Sequence, residues 1–299
     1  VDISVIIPSY NSGNTLESTL GGLTAQSTST TWEVIVVDCS SDDRVEKIVR
    51  HFPFAQLEHR QERFNPGEGR NLGSALASGQ LLVFCDADVT LAPDALAATW
   101  KRYGEGLEIF GGALDLHAAE GAELSAHLEH YFFNHENLPR RPPSERRNLS
   151  SALLCFDAEL FRTVGGFRDI PRMQDTELTE RMRREGHSLH FCPDILAVQT
   201  QDSPLREVLR KIFINGQNWY YIRHQRPASR LKRLLWVALL PGLCAAKVLR
   251  IILRHLVYQP LTNAPVTVAL APALAACGCI WALGLLHALT TEQGVSRVR

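Results

Sequence analysis

Acid is almost missing from the last third of this chain: neither Asp nor Glu occurs between Glu207 and Glu292. Ala264 to Leu289 goes further, with 26 residues that include no Asp, Glu, Lys or Arg. At ~1.5 Å per residue such a run is long enough to span a bilayer, and Pro272 is expected to kink it. A buried helix of a soluble protein is the alternative. The imbalance is hidden in the formal net charge of −1. Residues 1–207 hold 31 Asp and Glu against 19 Lys and Arg, whereas residues 208–299 hold 12 Lys and Arg against Glu292 alone. An acidic globular part and a basic part facing an anionic surface follow from that split. The basic part is also the most apolar, which favours an anionic membrane surface over nucleic acid, and no nucleic-acid partner is expected. Zinc-type CxxC spacing is absent, and seven cysteines are too sparse for a secreted disulfide scaffold, so a reducing compartment is expected. No signal-peptide pattern precedes the first strand. Beginning at Val rather than Met, the chain is expected to lack a few native residues.

What is present reads as alternating strands and helices. Ile3 to Ile7 is a short apolar run stopped by Pro8, and a turn through Ser9-Tyr10-Asn11-Ser12-Gly13 opens a helix with Leu16, Leu20 and Leu23 at helical spacing. Val34 to Val37 is a second buried strand, ending in Asp38 and followed by a helix with Val45, Ile48 and Val49 inward. Phe64 to Gly69 reads as a loop and Asn71 to Ser78 as a helix of small residues, Asn71 being a candidate N-cap. A third buried strand, Leu81 to Cys85, ends in Asp86-Ala87-Asp88. Residues i and i+2 of a strand share a side, so these two carboxylates can converge where the strand leaves the sheet. Two hard oxygen anions suit a divalent cation that keeps waters and bridges substrate phosphates. Strand-helix-strand units of this length imply a parallel sheet with right-handed crossovers. The polar clusters at Pro8, Asp38 and Asp86 then share the carboxyl rim, where open α/β sheets bind ligands.

The ordered set Ile6-Ile7-Pro8-Ser9-Tyr10-Asn11, Val36-Val37-Asp38-Cys39-Ser40-Ser41-Asp42, Gly69-Arg70-Asn71-Leu72-Gly73 and Asp86-Ala87-Asp88 resembles family 2 glycosyltransferases of the GT-A fold. Val164-Gly165-Gly166-Phe167, then Gln174-Asp175-Thr176-Glu177-Leu178, Arg181 and Gly186, resembles that family's acceptor-side signature. The resemblance covers roughly residues 1–200. It implies an α/β, Rossmann-like domain over residues 1–205, with a mostly parallel central sheet flanked by helices. A connecting helix and linker over 206–230 and a membrane-associated helical tail over 231–299 complete the expected organisation.

The resemblance also implies roles. Pro8, Tyr10, Asn11 and Asp38 would hold the base of a UDP- or GDP-linked sugar, Asp38 accepting from a ring N–H. Arg70 would lie near the donor phosphates, its fork suiting them; a surface ion pair is the alternative. Asp86 would contact the ribose or metal, and Asp88 would ligate Mg2+ or Mn2+. Asp175 matches the catalytic base, which should be partly desolvated and would invert the anomeric centre. Family members usually carry Glu-Asp where this chain has Gln174-Asp175, which removes a neighbouring charge. Glu177 is the rival base, and Arg181 and Arg183 read as an exposed helix face.

Between the two halves of the motif set, Ile109 to Leu116 reads as a strand. His127, His130 and His135 on the following helix are spaced poorly for a zinc site and read as surface or packing residues. Pro139 to Arg147 is too proline-rich for a helix or central strand. It reads either as an acceptor-side loop whose arginines meet a phosphate or lipid headgroup, or as a plain solvated loop. A helix is expected from Leu205 to Ile214. The Gln-x-x-Arg-Trp signature of processive relatives is absent around Gln217 to Arg223, which points to addition of one sugar. Leu231 to Tyr258 carries Lys247, Arg250 and Arg254 as one basic stripe, the pattern of an interfacial helix on anionic lipid. Whether Leu234 to Ala246 also enters the bilayer is open. Basic residues N-terminal to the 264–289 run place the catalytic domain on the cytoplasmic face of the cell membrane. The expected activity is transfer of one sugar to a lipid or lipid-linked acceptor. Polyprenyl phosphate as acceptor, or an inactive nucleotide-sugar-binding scaffold, are the alternatives.

Overall fold

The computed structural model describes residues 1–118, 120–121, 123–170, 172–224 and 229–291. Residues 225–228 of the expected linker and 292–299 of the expected tail therefore lie outside the described residues. The strands are β1 (Ile3–Ser9), β2 (Trp32–Asp38), β3 (Ala55–His59), β4 (Leu81–Cys85), β5 (Val89–Leu91), β6 (Ile109–Ala118), β7 (Ser144–Arg146), β8 (Leu153–Asp157) and β9 (Leu189–Gln201). The helices are α1 (Leu16–Thr24), α2 (Arg44–Val49), α3 (Pro66–Leu76), α4 (Ala95–Gly104), α5 (Glu123–Asn134), α6 (Ala158–Thr163), α7 (Gln174–Arg184), α8 (Leu205–His224), α9 (Arg230–Tyr258) and α10 (Ala264–Thr291). They form two compact units. The first comprises Val1–Asp115, Pro142–Asp169 and Gln174–Thr200, and the second Leu116–Arg141, Ile170–Met173 and the chain from Gln201 onward.

The first unit is built on a sheet ordered β3-β2-β1-β4-β8-β6-β9-β5, with β7 also paired to β9. The pairs β3–β2, β2–β1 and β1–β4 are parallel. The runs Val34–Val37 and Leu81–Cys85 are continuously apolar, and Ile3–Ile7 is broken only by the buried Ser4, because both faces of these strands are covered. Alternation divides them. Ile3, Val5, Ile7, Val34, Val36, Leu81 and Val83 pack on one face with Leu16, Leu20 and Leu23 of α1. Ile6, Ile35, Val37, Leu82 and Phe84 pack on the other with Phe161, Phe167, Leu178 and Met182. Each such side chain contributes about 1.5–3 kcal/mol of burial. The second half of the sheet is antiparallel, through β4–β8 and β6–β8, and through β5–β9 and β7–β9.

Two local expectations are corrected. The stretch from Pro66 is helical rather than loop, because the Asn65 side chain accepts from Glu68 N and Pro66 occupies the first turn. Asn71 therefore lies inside α3 and is not its cap. The proline-rich segment contributes β7, whose Glu145 sits opposite His190 of β9, and Arg146 stacks over the Phe191 ring at 4.6 Å.

In the second unit, α8 and α10 cross at their glycines. A Cβ on Gly216 would lie 2.0 Å from the Trp281 carbonyl oxygen, and one on Gly284 would lie 2.1 Å from that of Phe213. Trp281 Nε1 donates to Asn215 Oδ1 at 3.1 Å, and the Tyr221 hydroxyl donates to the Ala288 carbonyl at 3.0 Å. Helix α8 runs ten residues beyond the expected Ile214. Helices α9 and α10 are long and apolar enough to cross a membrane. Both continue through an internal proline, Pro241 and Pro272. His130 is buried in this unit, and desolvation holds its imidazole neutral, with a pKa pushed down to about 3.

The basic stripe on α9 is not a free row of charge. Lys247 lies over the rings of Phe132 and Trp281, at 4.5 and 5.0 Å, and Arg254 pairs with Glu136. Arg141, from the proline-rich segment, is buried against the same Glu136 at 3.3 Å. Arg250 is exposed and, with Arg254 and Tyr258, borders a groove of about 400 Å3 lined by Ala246, Leu249, Leu253 and Val257.

Candidate active site

The parallel order puts the carboxyl ends of β3, β2, β1 and β4 side by side. Register aligns Ser9 with Asp38 and Asp38 with His59. Pro8 ends the β1 run and Tyr10 and Asn11 follow it, Asn11 in the left-handed region at φ 55°. Asparagine tolerates that conformation better than most residues. Asn11 N donates to Ser40 Oγ at 2.7 Å, which ties the loop after β1 to the loop after β2. Tyr10 is exposed, with the Arg63 guanidinium 4.3 Å from its ring centroid.

Asp38 is enclosed by groups that donate to it. It is 1% exposed, and its carboxylate already takes three donors. Ser40 Oγ donates to Oδ1 at 2.7 Å, while Ser40 N and His59 Nδ1 lie 3.1 Å from Oδ2.

Arg70 projects from α3, which approaches β1 closely because Gly69 and Gly73 have no side chain. A Cβ on Gly73 would stand 2.4 Å from Ile6 Cγ2, and one on Gly69 3.2 Å from Pro8 Cβ. The Arg70 guanidinium is buried and pairs with Asp86, whose side chain is 31% exposed. Arg70 Nε is buried without an acceptor among the described residues. Asp88 turns toward β9, where Gln199 Nε2 donates to both carboxylate oxygens at 3.2 and 3.3 Å. Burial, reinforced by the charges of Asp86 and Asp88, pushes the Cys85 thiol far above its ordinary range, and burial raises Cys39 as well. Neither thiol is a nucleophile in this state.

Asp175 reaches the same rim through β8. Asp86 N donates to the Ala152 carbonyl at 3.2 Å, and the neighbouring Ser151 N donates to Asp175 Oδ2 at 3.3 Å. The half-buried Asp175 also accepts from Thr176 N at 2.6 Å, in the first turn of α7. Glu177 does not compete for the role of base: its side chain is 2% exposed and faces Arg168 at 3.0 Å and Arg181 at 3.4 Å. Arg181 is not on an exposed face. It donates to the carbonyls of Val164 and Gly166, fixing the turn in which Gly165 and Gly166 have φ of 76° and 62°. Asn71 closes the other side of that turn, donating to Phe167 O at 2.7 Å and accepting from Phe167 N at 2.9 Å.

Pro8, Tyr10, Asn11, Asp38, Arg70, Asp86, Asp88 and Asp175 thus belong to one unit and one rim. His59, Arg63, Ser151 and Gln199 join them unforeseen. None carries a local motif; β3 and the segment after it deliver His59 and Arg63, the segment before β8 delivers Ser151, and β9 delivers Gln199. Asp86 and Asp88 are hard oxygen donors one residue apart and are the residues that would hold a divalent ion; Asp86 is engaged by Arg70 and Asp88 by Gln199, and no group of three ligating side chains occurs among the described residues. An ion so held would keep waters and substrate phosphates in its shell.

A family model described as glycosyl transferase family 2 matches residues 4–165. The glycosyltransferase AglE of Haloferax volcanii is 26% identical over 223 residues, 72% of each chain. The pre-mycofactocin glycosyltransferase of Mycobacterium tuberculosis is 25% identical over 224 residues, 72% of this chain and 46% of that one. Among solved structures, the mannosyltransferase PcManGT from Pyrobaculum calidifontis, in complex with GDP-Man and Mn2+, superposes with a TM-score of 0.61 at 18% identity, covering 97% of this chain and 87% of that one. S. aureus TarS 1–349 in complex with UDP-GlcNAc gives 0.53 at 15% identity, covering 98% and 92%. The fold is GT-A, and the chain belongs to glycosyl transferase family 2.

Proposed function

We propose that the protein transfers one sugar, with inversion, from a UDP- or GDP-linked donor to a hydroxyl of a lipid or lipid-linked acceptor. The observation that carries this reading is the backbone link from Asp86 through Ala152 and Ser151 to Asp175, which brings the half-buried Asp175 carboxylate beside the donor carboxylates. The nucleoside lies along Pro8, Tyr10, Asn11 and the Asp38 network. Arg70, buried and paired with Asp86, sets positive charge at the phosphate end of the rim. Asp88 and Asp86 would hold Mg2+ or Mn2+, and such an ion would supply positive charge against the leaving diphosphate. Asp175 takes the proton of the incoming hydroxyl, and attack opposite the leaving group inverts the anomeric carbon. PcManGT and TarS were solved with GDP-Man and Mn2+ and with UDP-GlcNAc, which supports a nucleotide-sugar donor and a divalent ion here.

The acceptor is read from the second unit. Leu231, Leu234, Leu235, Leu249, Leu253, Val257 and Leu261 are exposed, apolar and concentrated on and after α9, as a membrane-embedded surface requires. Arg250, beside the apolar groove, suits an anionic headgroup. The catalytic unit then works at the cytoplasmic face of the cell membrane. Purified protein with Mn2+ is expected to transfer or hydrolyse label from a UDP- or GDP-sugar, and EDTA to abolish this. Donor binding without turnover on any membrane lipid extract favours a sensor or scaffold instead. A labelled product that carries phosphate at the sugar linkage identifies polyprenyl phosphate as acceptor.

A further inference from the structure

Asp38 is enclosed, yet its network opens to solvent at one point. Of the groups on its carboxylate, the His59 ring is exposed, its side chain keeping 44% of its accessible surface. An ionised carboxylate only accepts, so the 3.1 Å contact requires the hydrogen on His59 Nδ1. In the neutral imidazole that leaves Nε2 as an acceptor, and Nε2 has no partner among the described residues. Ser40 contributes to the same order from the opposite side: its hydroxyl donates to Asp38 Oδ1 and accepts from Asn11 N, so it cannot release Asp38 without freeing the loop after β1.

We infer that His59 is the residue that reads the nucleobase, with Asp38 acting through it to fix the tautomer. The inference rests on the donor reading above and refines it. Sheet order supports the placement. His59 ends β3, three strand intervals from the end of β4, where Arg70 and Asp86 lie. At ~4.8 Å per interval this is about 14 Å, the reach of an extended nucleoside diphosphate from base edge to phosphates. Tyr10, with Arg63 on its ring, stands at the intervening strand end as a surface for the nucleoside. A fixed acceptor at Nε2 selects bases with a ring N–H on their pairing edge, which uracil and guanine have. Cytosine and adenine present a ring acceptor there, and two acceptors repel.

The test is calorimetric binding of UDP, CDP, GDP, ADP and inorganic pyrophosphate to the full chain with Mn2+ at neutral pH. UDP is expected to bind at least about tenfold tighter than CDP, and GDP than ADP, a difference of about 1.4 kcal/mol. His59→Phe keeps a planar ring without the acceptor. It should weaken UDP about tenfold and erase the preference over CDP, while pyrophosphate, which never reaches β3, binds as before and reports an intact fold. His59→Gln, which retains an acceptor, should recover part of the preference. Equal binding of UDP and CDP by the wild type, or a preference kept in His59→Phe, overturns the assignment and leaves the donor reading standing. Binding of no nucleotide by the wild type overturns both.

Discussion

Arg181 and Glu177 sit one helical turn apart on α7, and their contacts make them structural. Arg181 satisfies two carbonyls of the Val164–Gly166 turn, and Glu177 balances its charge where water is excluded. Removing Arg181 leaves the buried Glu177 with only the half-exposed Arg168 opposite it and strips two carbonyls of their donor, a loss approaching that of a broken buried pair, about 3–5 kcal/mol. Arg183, two residues on, pairs with Glu180 at the surface, where a pair contributes about 0–1 kcal/mol. Arg181→Met is therefore expected to lower the thermal midpoint strongly and Arg183→Met hardly at all. Equal midpoints for the two variants in a melting experiment contradict this assignment. The same turn is gripped by Asn71, so an asparagine that resembles a cap in the sequence is a clasp between α3 and the segment before α7.

Close packing of α3 on β1 depends on absent side chains. Gly73→Ala drives a Cβ to within 2.4 Å of the fully buried Ile6 and should cost about 1–3 kcal/mol. Gly21→Ala in α1, where nothing lies within 4 Å, should stabilise by about 0.4–1 kcal/mol. Urea unfolding of the two variants measures both signs, and a neutral Gly73→Ala refutes the close-contact reading. Such glycines also bear on what the sequence reveals. The parallel strands β1, β2 and β4 are legible because largely apolar runs end in polar clusters, and Asp38, Asp86 and Asp88 come with them. β3, with the pattern Ala-Gln-Leu-Glu-His and partial exposure, has no such run, so His59 stays hidden. β8 and β9 pair antiparallel with partners distant in sequence, and the Gln199–Asp88 contact arises from that pairing, while Ser151–Asp175 joins the segment before β8 to α7. Helix α3 is misplaced by half its length when Asn71 is taken for the cap, although Asn65-Pro66 with Glu68 carries the stronger start signal.

At the scale of the molecule, charge and apolarity divide the labour. The acidic first unit holds a rim of carboxylates with one buried arginine, and the second holds the long apolar helices and nearly all of the acid-free sequence. A soluble transferase needs only the first of these. Electrostatic attraction alone does not explain the second, because Lys247 and Arg254 are already engaged inside it. Its exposed leucines are the stronger membrane signal. The central claim is that the rim donates a sugar to a lipid with Asp175 as base. Membranes carrying the protein, incubated with labelled nucleotide sugars, measure it most directly. The wild type should yield a labelled lipid, and Asp175→Asn should lower its rate of formation by about 10²–10⁴-fold while donor affinity is unchanged. A labelled lipid formed at the wild-type rate by Asp175→Asn, or donor bound and no lipid labelled by either protein, contradicts the claim.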